Sequence, residues 1–220
     1  MELSEKITPP SRVKTKMRNL LIKNALEMFE NGSFPSVTEL ALHSQISRAT
    51  AYRYFPTQSD LVAAVVEESL KPVIDWQPQH ITAEARVAEL LTFAYPQMLR
   101  HEGALRAALL LSLQQWADLR AMSVEAQGTA SITQDKHEKY IRGNRKQILG
   151  LATAPLKDHL SPELLQKVIH ALSLVYGSEV FMVLKDIWQL EPDDIQSVTQ
   201  WMAKAIINQA KHDQGCQILV

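Results

Sequence analysis

The sequence predicts an all-α fold, and three observations carry that prediction. Only seven of the 220 residues are glycine, whereas a β-rich chain places glycine at its many turns. Runs such as 104–113 and 168–175 are rich in Leu and Ala, which suit helices best. Hydroxyl residues stand three positions before an acid at Ser36–Glu39 and Thr57–Asp60, the pattern of a capping box at a helix N-terminus.

Each element follows in order. Residues 1–10 read as a disordered tail closed by Pro9-Pro10. Residues 11–31 read as a first helix, with Leu21, Ala25, Met28 and Phe29 at i, i+4, i+7 and i+8 on one stripe. Gly32 sits where a helix closes on a left-handed residue. The Ser36–Glu39 box opens a second helix at about Val37, with Val37, Leu40 and Ala41 on one face. That helix ends near Ser44, because the Ser47 hydroxyl is set to cap a third helix from Arg48 to Phe55, which stops at Pro56. Thr57 and Asp60 open a fourth from Gln58 to about Lys71. The two short helices are too short to be stable alone. They need the first as a support, which is the layout of a helix-turn-helix unit.

Composition bounds the rest. With 46% hydrophobic residues the chain can bury a core and hold one or two domains. The single cysteine, Cys216, excludes a disulfide framework within the chain and argues against a cysteine-based zinc site. No apolar stretch approaches the roughly eighteen residues that cross a bilayer. Residues 1–16 are polar, unlike a secretory leader. A soluble cytoplasmic protein with no membrane partner is expected. Net charge is −1, but residues 6–53 hold eight Lys/Arg against three Glu, a surplus of +5 that leaves −6 elsewhere. A basic end on a mildly acidic body suits the docking of phosphates at that end only.

A helical wheel of the third helix puts Ala51 and Phe55 together, facing the core. Ala49 and Arg53 point away, Arg48 and Tyr52 lie on one flank, and Thr50 and Tyr54 on the other. The exposed groups are guanidiniums, hydroxyls and aromatic edges, which bond phosphate oxygens and guanine edges. The helix contains no acid, whereas an inert surface helix more often carries Glu/Lys pairs.

The run Ser47-Arg-Ala-Thr-Ala-Tyr-Arg-Tyr-Phe-Pro, followed by Thr57-Gln-Ser-Asp-Leu, resembles the recognition helix and following helix of the TetR family. Ala25 through Phe29 to Gly32, and Val37-Thr-Glu-Leu-Ala, resemble that family's first two helices. The likeness spans residues 12–70. It implies an all-helical homodimer, with an N-terminal DNA-binding unit at 11–71, a helical ligand-binding and dimerisation domain at 72–212, and a tail at 213–220. It implies a repressor of transcription that binds a palindromic operator in double-stranded DNA. It places Arg48, Ala49, Tyr52 and Arg53 against base edges and Thr50 and Tyr54 on phosphates. Ser36, Thr38, Ser47 and Gln58 complete the expected DNA-facing set. Three positions depart from the family's pattern: Gln45 where the turn usually has Gly, Ala51 in place of a larger aliphatic, and Gln58 where a phosphate-binding Lys is common. They keep open an alternative, a helical protein–protein adaptor that retains the motif without specific DNA binding.

Beyond residue 71, Pro72 and Pro78 mark a connection. Helices are expected over 82–99, 102–125, 134–154 and 161–188, the last capped by Ser161 with Pro162 at its first position. A final helix is expected from Pro192 to about Lys211. Gly177 would then fall in mid-helix, where glycine is costly unless another backbone approaches closely. That helix and the final one, with Gly177, Phe181, Val198, Trp201, Met202 and Ala205, are candidates for a four-helix dimer interface; an ordinary intrachain core is the alternative. A ligand pocket is expected among helices 82–188. Candidate lining residues are Trp116, Met122, Tyr140 and Tyr176, with His101, Ser112, Asn144 and Glu179 as polar handles. The effector is expected to be an apolar or amphipathic small molecule. The seven histidines are dispersed, and no H-E-x-x-H, glycine-rich phosphate loop or G-x-S-x-G occurs. No enzyme activity, cofactor or metal is therefore expected.

Overall fold

The computed structural model describes the backbone of residues 12–126 and 144–217, with side chains over 12–121 and 144–215. Among the described residues the chain is helical with no strand. Four helices begin it: α1 (Arg12–Glu30), α2 (Val37–His43), α3 (Arg48–Tyr54) and α4 (Gln58–Ser69). A short α5 (Lys71–Ile74) leads to α6 (Ala83–Arg100) and α7 (Glu102–Ala126). Then come α8 (Asn144–Thr153), a 3₁₀ turn at Ala154–Leu156, α9 (Pro162–Val175), α10 (Glu179–Leu184) and α11 (Pro192–Gln217).

The helix ends of the first unit are set by local hydrogen bonds. In both capping boxes the hydroxyl accepts from the acid's backbone N–H while the acid's carboxylate accepts from the hydroxyl residue's N–H. The Ser47 hydroxyl accepts from the Thr50 N–H. α1 closes on Gly32 at φ +78°, with the Ser33 N–H donating to the Met28 carbonyl and the Gly32 N–H to the Phe29 carbonyl. α2 closes the same way on Gln45 at φ +56°: the Ile46 N–H donates to Ala41 and the Gln45 N–H to Leu42. Both are Schellman ends, which satisfy carbonyls the helix leaves over. The second uses a residue with a Cβ in a region that costs roughly 1–2 kcal/mol.

Two hydrophobic clusters organise the packing. The first joins Leu21, Ala25 and Phe29 of α1, Leu40 and Ala41 of α2, Ala51 and Phe55, and Leu61, Val62 and Val65 of α4. It also takes in Ala104, Ala107, Ala108 and Leu111 from α7. The second gathers α6, α8, α9 and α11 around Leu90, Leu91, Tyr95, Leu149, Leu172, Ile195 and Ile207. Each such fully buried Leu or Ile is worth roughly 1.5–3 kcal/mol over exposure.

The chain departs from expectation in three places. The helix expected over 161–188 is two helices: α9 ends at Val175, and Gly177, at φ +148°, turns the chain before α10. The break is held from outside, since Tyr95 on α6 donates to the Val175 carbonyl and Arg145 Nη1 on α8 donates to the Ser173 carbonyl at 3.1 Å. These side chains supply the partners that a further helical turn would have given. The helix after α3 stops at Ser69, and Leu70 links it to α5. The final helix reaches Gln217 rather than Lys211. Of the helix expected over 134–154, Asn144–Thr153 is observed; residues 134–143 lie outside the described residues, as does the 1–10 tail. No helix among the described residues is long and apolar enough to cross a membrane.

Candidate nucleic-acid interface and the cavity behind it

α3 is displayed by what holds it. Ala51 and Phe55 are fully buried, as the wheel requires, so the opposite face is forced outward. Arg48, Ala49, Tyr52 and Arg53 are exposed, with Thr50 and Tyr54 half-buried on the flank. The Thr50 hydroxyl lies 2.8 Å from the Ser47 hydroxyl, and the Tyr52 hydroxyl 3.3 Å from that of Thr38 on α2. The Arg53 guanidinium stacks 5.7 Å from the centre of the Tyr54 ring. Neither Arg48 nor Arg53 pairs with a carboxylate among the described residues. Asn24 on α1 donates to the Ser44 hydroxyl at 2.9 Å, tying the turn to the supporting helix. The structure therefore brings Thr38, Ser47, Arg48, Ala49, Thr50, Tyr52, Arg53 and Tyr54 together along α3 and its flank. Ser36 and Gln58 sit at the starts of α2 and α4.

The three departures from the motif are each accommodated. Gln45 adopts the left-handed turn, Ala51 is buried, and the Gln58 side chain donates to the Pro35 carbonyl at 2.9 Å. That bond joins the start of α4 to the loop before α2. Ser36 holds the Glu39 carboxylate through its N–H and hydroxyl at 2.7 and 2.8 Å. The backbone bond, helped by the hydroxyl, keeps this carboxyl below its ordinary range.

A cavity of about 370 Å³ lies behind α4. α4 is two-faced. Leu61, Val62 and Val65 fill the core under α3, while Ala63, Val66, Glu67 and Leu70, at i, i+3, i+4 and i+7, wall the cavity. Val73 and Ile74 of α5, Met98 of α6, Leu105 and Ala108 of α7, and Asn144, Arg145 and Ile148 of α8 supply much of the rest. The broken segment Tyr176–Gly177–Ser178 closes it. Arg145 Nη2 donates to Glu179 at 2.6 Å. A Cβ on Gly177 would lie 2.1 Å from that Nη2, so glycine leaves room for the pair. Tyr176 is buried, and burial pushes its hydroxyl above the ordinary range.

Of the pocket candidates, Asn144 and Tyr176 line this cavity, and Glu179 reaches it through Arg145. His101, Ser112 and Trp116 do not line it. His101 caps the end of α6, its Nδ1 buried with no partner among the described residues. Ser112 lies half-buried further along α7, beyond Ala108. Trp116 is 68% exposed. The side chain of Met122 and all of Tyr140 lie outside the described residues. The wall given by α4 and α5 was not anticipated, although the second apolar stripe of α4 was visible in its spacing.

The interface candidates divide. Phe181 is buried against Tyr95, ring centres 5.8 Å apart, inside the protomer's own core. Gly177 is likewise buried, under Arg145. Neither is free to meet a second copy. Trp201 (72% exposed), Met202 and Ala205 face outward on α11, and Val198 is half-buried there. Leu174 on the adjacent α9 is also exposed.

This geometry defines an all-helical protein with a helix-turn-helix head on a helical body. No family model matches the chain, and no curated protein matches it. Solved structures do. A TetR-family transcriptional regulator from Streptomyces coelicolor superposes with a TM-score of 0.62 at 18% identity, over 92% of this chain and 86% of that one. A TetR regulator from Rhodococcus sp. RHA1 gives 0.54 at 18% identity, over 90% and 97%. The chain has the fold of TetR-family transcriptional regulators.

Proposed function

We propose that this chain is a DNA-binding transcriptional regulator, a ligand-responsive repressor that grips a palindromic operator as a homodimer. The observation that carries this reading is the outward face of α3. It is acid-free, with two arginines unpaired among the described residues, on a helix anchored by Ala51, Phe55 and the Ser47 cap. In a major groove, Arg48 and Arg53 would reach guanine edges and the hydroxyl groups the phosphates. Residues 11–71 form the DNA-binding unit in this proposal, and 72–212 the ligand-binding and dimerisation unit. Leu174, Val198, Trp201, Met202 and Ala205 supply the face for a second copy, which buries side chains that otherwise meet water. Two α3 helices roughly 34–36 Å apart then match successive half-sites.

Release follows from the two faces of α4. An inducer filling the cavity presses on Val66 and Leu70, and α4 transmits that shift to the core beneath α3. The ligand's effect equals its difference in affinity between the DNA-competent and incompetent states. The test is selection of random duplex DNA on the full chain at moderate salt. An enriched palindrome is expected. No enrichment by a folded dimer would overturn the reading and favour a protein–protein adaptor.

A further inference from the structure

We propose that the cavity behind α4 binds a lipophilic monocation, an amine or ammonium on a hydrophobic body, with Glu67 as its counter-ion. This rests on the regulator reading and specifies its effector class. At about 370 Å³ the cavity is at the small end of sites that hold drug-like molecules. Val66, Leu70, Val73, Ile74, Leu105 and Ile148 make it mostly aliphatic, so the body of any occupant is apolar.

Charge decides the head group. Arg145 is the cation of the lining, and it is committed: Nη2 to Glu179 at 2.6 Å and Nη1 to the Ser173 carbonyl at 3.1 Å. An anionic ligand would compete with Glu179 for Arg145. It would weaken the Arg145–Glu179 pair and the bond from Arg145 to the Ser173 carbonyl. Glu67 is the opposite case. It lines the same cavity, is exposed, and has no ion pair or hydrogen bond among the described residues. Lys71, four residues on, lies past the end of α4 and pairs with nothing among the described residues. Among the described residues, the uncompensated charge of the wall is therefore one carboxylate at a wet edge. Tyr176 adds an aromatic ring to the lining, and the face of such a ring attracts cations. A cation held at Glu67 also pulls on α4, the helix that backs α3.

Three isosteric probes separate charge from shape: 4-phenylbutylamine, 4-phenylbutanol and 4-phenylbutyrate, titrated calorimetrically into the full chain. The amine is expected to bind tightest and the carboxylate weakest. Glu67→Gln, at an exposed position, is expected to weaken the amine about fivefold and leave the alcohol unchanged. Butyrate binding as tightly as the amine would overturn the proposal. So would an unchanged amine affinity in Glu67→Gln, or no binding by any probe up to millimolar concentration. Adding each probe to a complex with selected duplex DNA separates the two readings. Amine preference without DNA release keeps the cation site and overturns the ligand-release part of the regulator reading. Release by butyrate alone keeps the regulator and overturns the cation site.

Discussion

Replacing Gly177 by Ala tests how the break after α9 is held. Two costs add. The residue sits at φ +148°, a region for which a Cβ costs roughly 1–3 kcal/mol. The new methyl would also lie 2.1 Å from Arg145 Nη2 and 2.6 Å from Glu179 Oε2, so the pair must part. With Arg145 and Glu179 side chains 30% and 38% exposed, that pair is worth no more than about 1 kcal/mol. The expected loss is about 1–4 kcal/mol, or a fall in Tm of roughly 2–16 °C for a chain of this length. Urea unfolding followed by circular dichroism at 222 nm reads it, and a second background divides it. With Arg145→Met already in place, Gly177→Ala should lose only the backbone part, leaving a coupling of about 1 kcal/mol. A change below about 0.5 kcal/mol in the single variant would refute the account of the break. This glycine lies inside the chain's own core, so an unchanged oligomeric state of lowered stability is the expected outcome.

Other outcomes follow from the head. Gln45→Gly removes the Cβ from a left-handed turn and is expected to stabilise by about 0.5–1 kcal/mol after the entropy of the freer unfolded chain is allowed for; a lower urea midpoint would contradict this. Arg48→Ala or Arg53→Ala is expected to cost roughly 1–3 kcal/mol of operator affinity and relax base preference, if the guanidinium makes a bidentate guanine contact; unchanged gel-shift affinity and preference in both would remove that role. Glu39 has a folded-state pKa depressed by its bonds from Ser36. Its contribution is therefore complete above the ordinary value of 4.5 and lost as pH falls through the depressed one. The gap in urea midpoint between the wild type and Glu39→Gln should stay constant from about pH 6 to 8 and close below about pH 4.

The head was legible because its determinants are local. Ser36 with Glu39, Ser47 with Thr50 and Thr57 with Asp60 each act across three residues, and a side chain that caps can be read beside the helix it caps. The turn at Gln45 was legible as a place where a left-handed residue belongs, even with a Cβ there. The break after α9 was hidden for the opposite reason. Apolar residues recur on both sides of it, Leu172, Leu174, Val175 and Tyr176 before and 180–184 after, and the groups that hold it, Tyr95 and Arg145, lie 80 and 28 residues away from the carbonyls they bind. The sequence points to a pocket among helices 82–188, and the cavity in the structure takes an additional wall from α4 and α5. Ala63, Val66, Glu67 and Leu70 repeat at helical spacing, but spacing alone does not distinguish a cavity wall from a solvated face. Phe181 was apolar enough for an interface, and only packing against Tyr95 shows which surface claims it.

α7 enters the head at its first turns. The Glu30 carboxylate, at the end of α1, accepts the N–H groups of Gly103 and Ala104 at 3.1 and 3.4 Å, at a helix start where unpaired donors need an anion. Gly103 is seated so close to α1 that a Cβ there would meet the Phe29 carbonyl oxygen at 2.3 Å. The core under α3 therefore stays open on one side until residues 104–111 have been synthesised and have left the ribosome. A nascent chain that has released only α1 to α4 carries Leu61, Val62 and Val65 without the cover of Ala104, Ala107 and Leu111. The α1–α4 unit emerges first, and its core is closed only when residues 104–111 of α7 follow it.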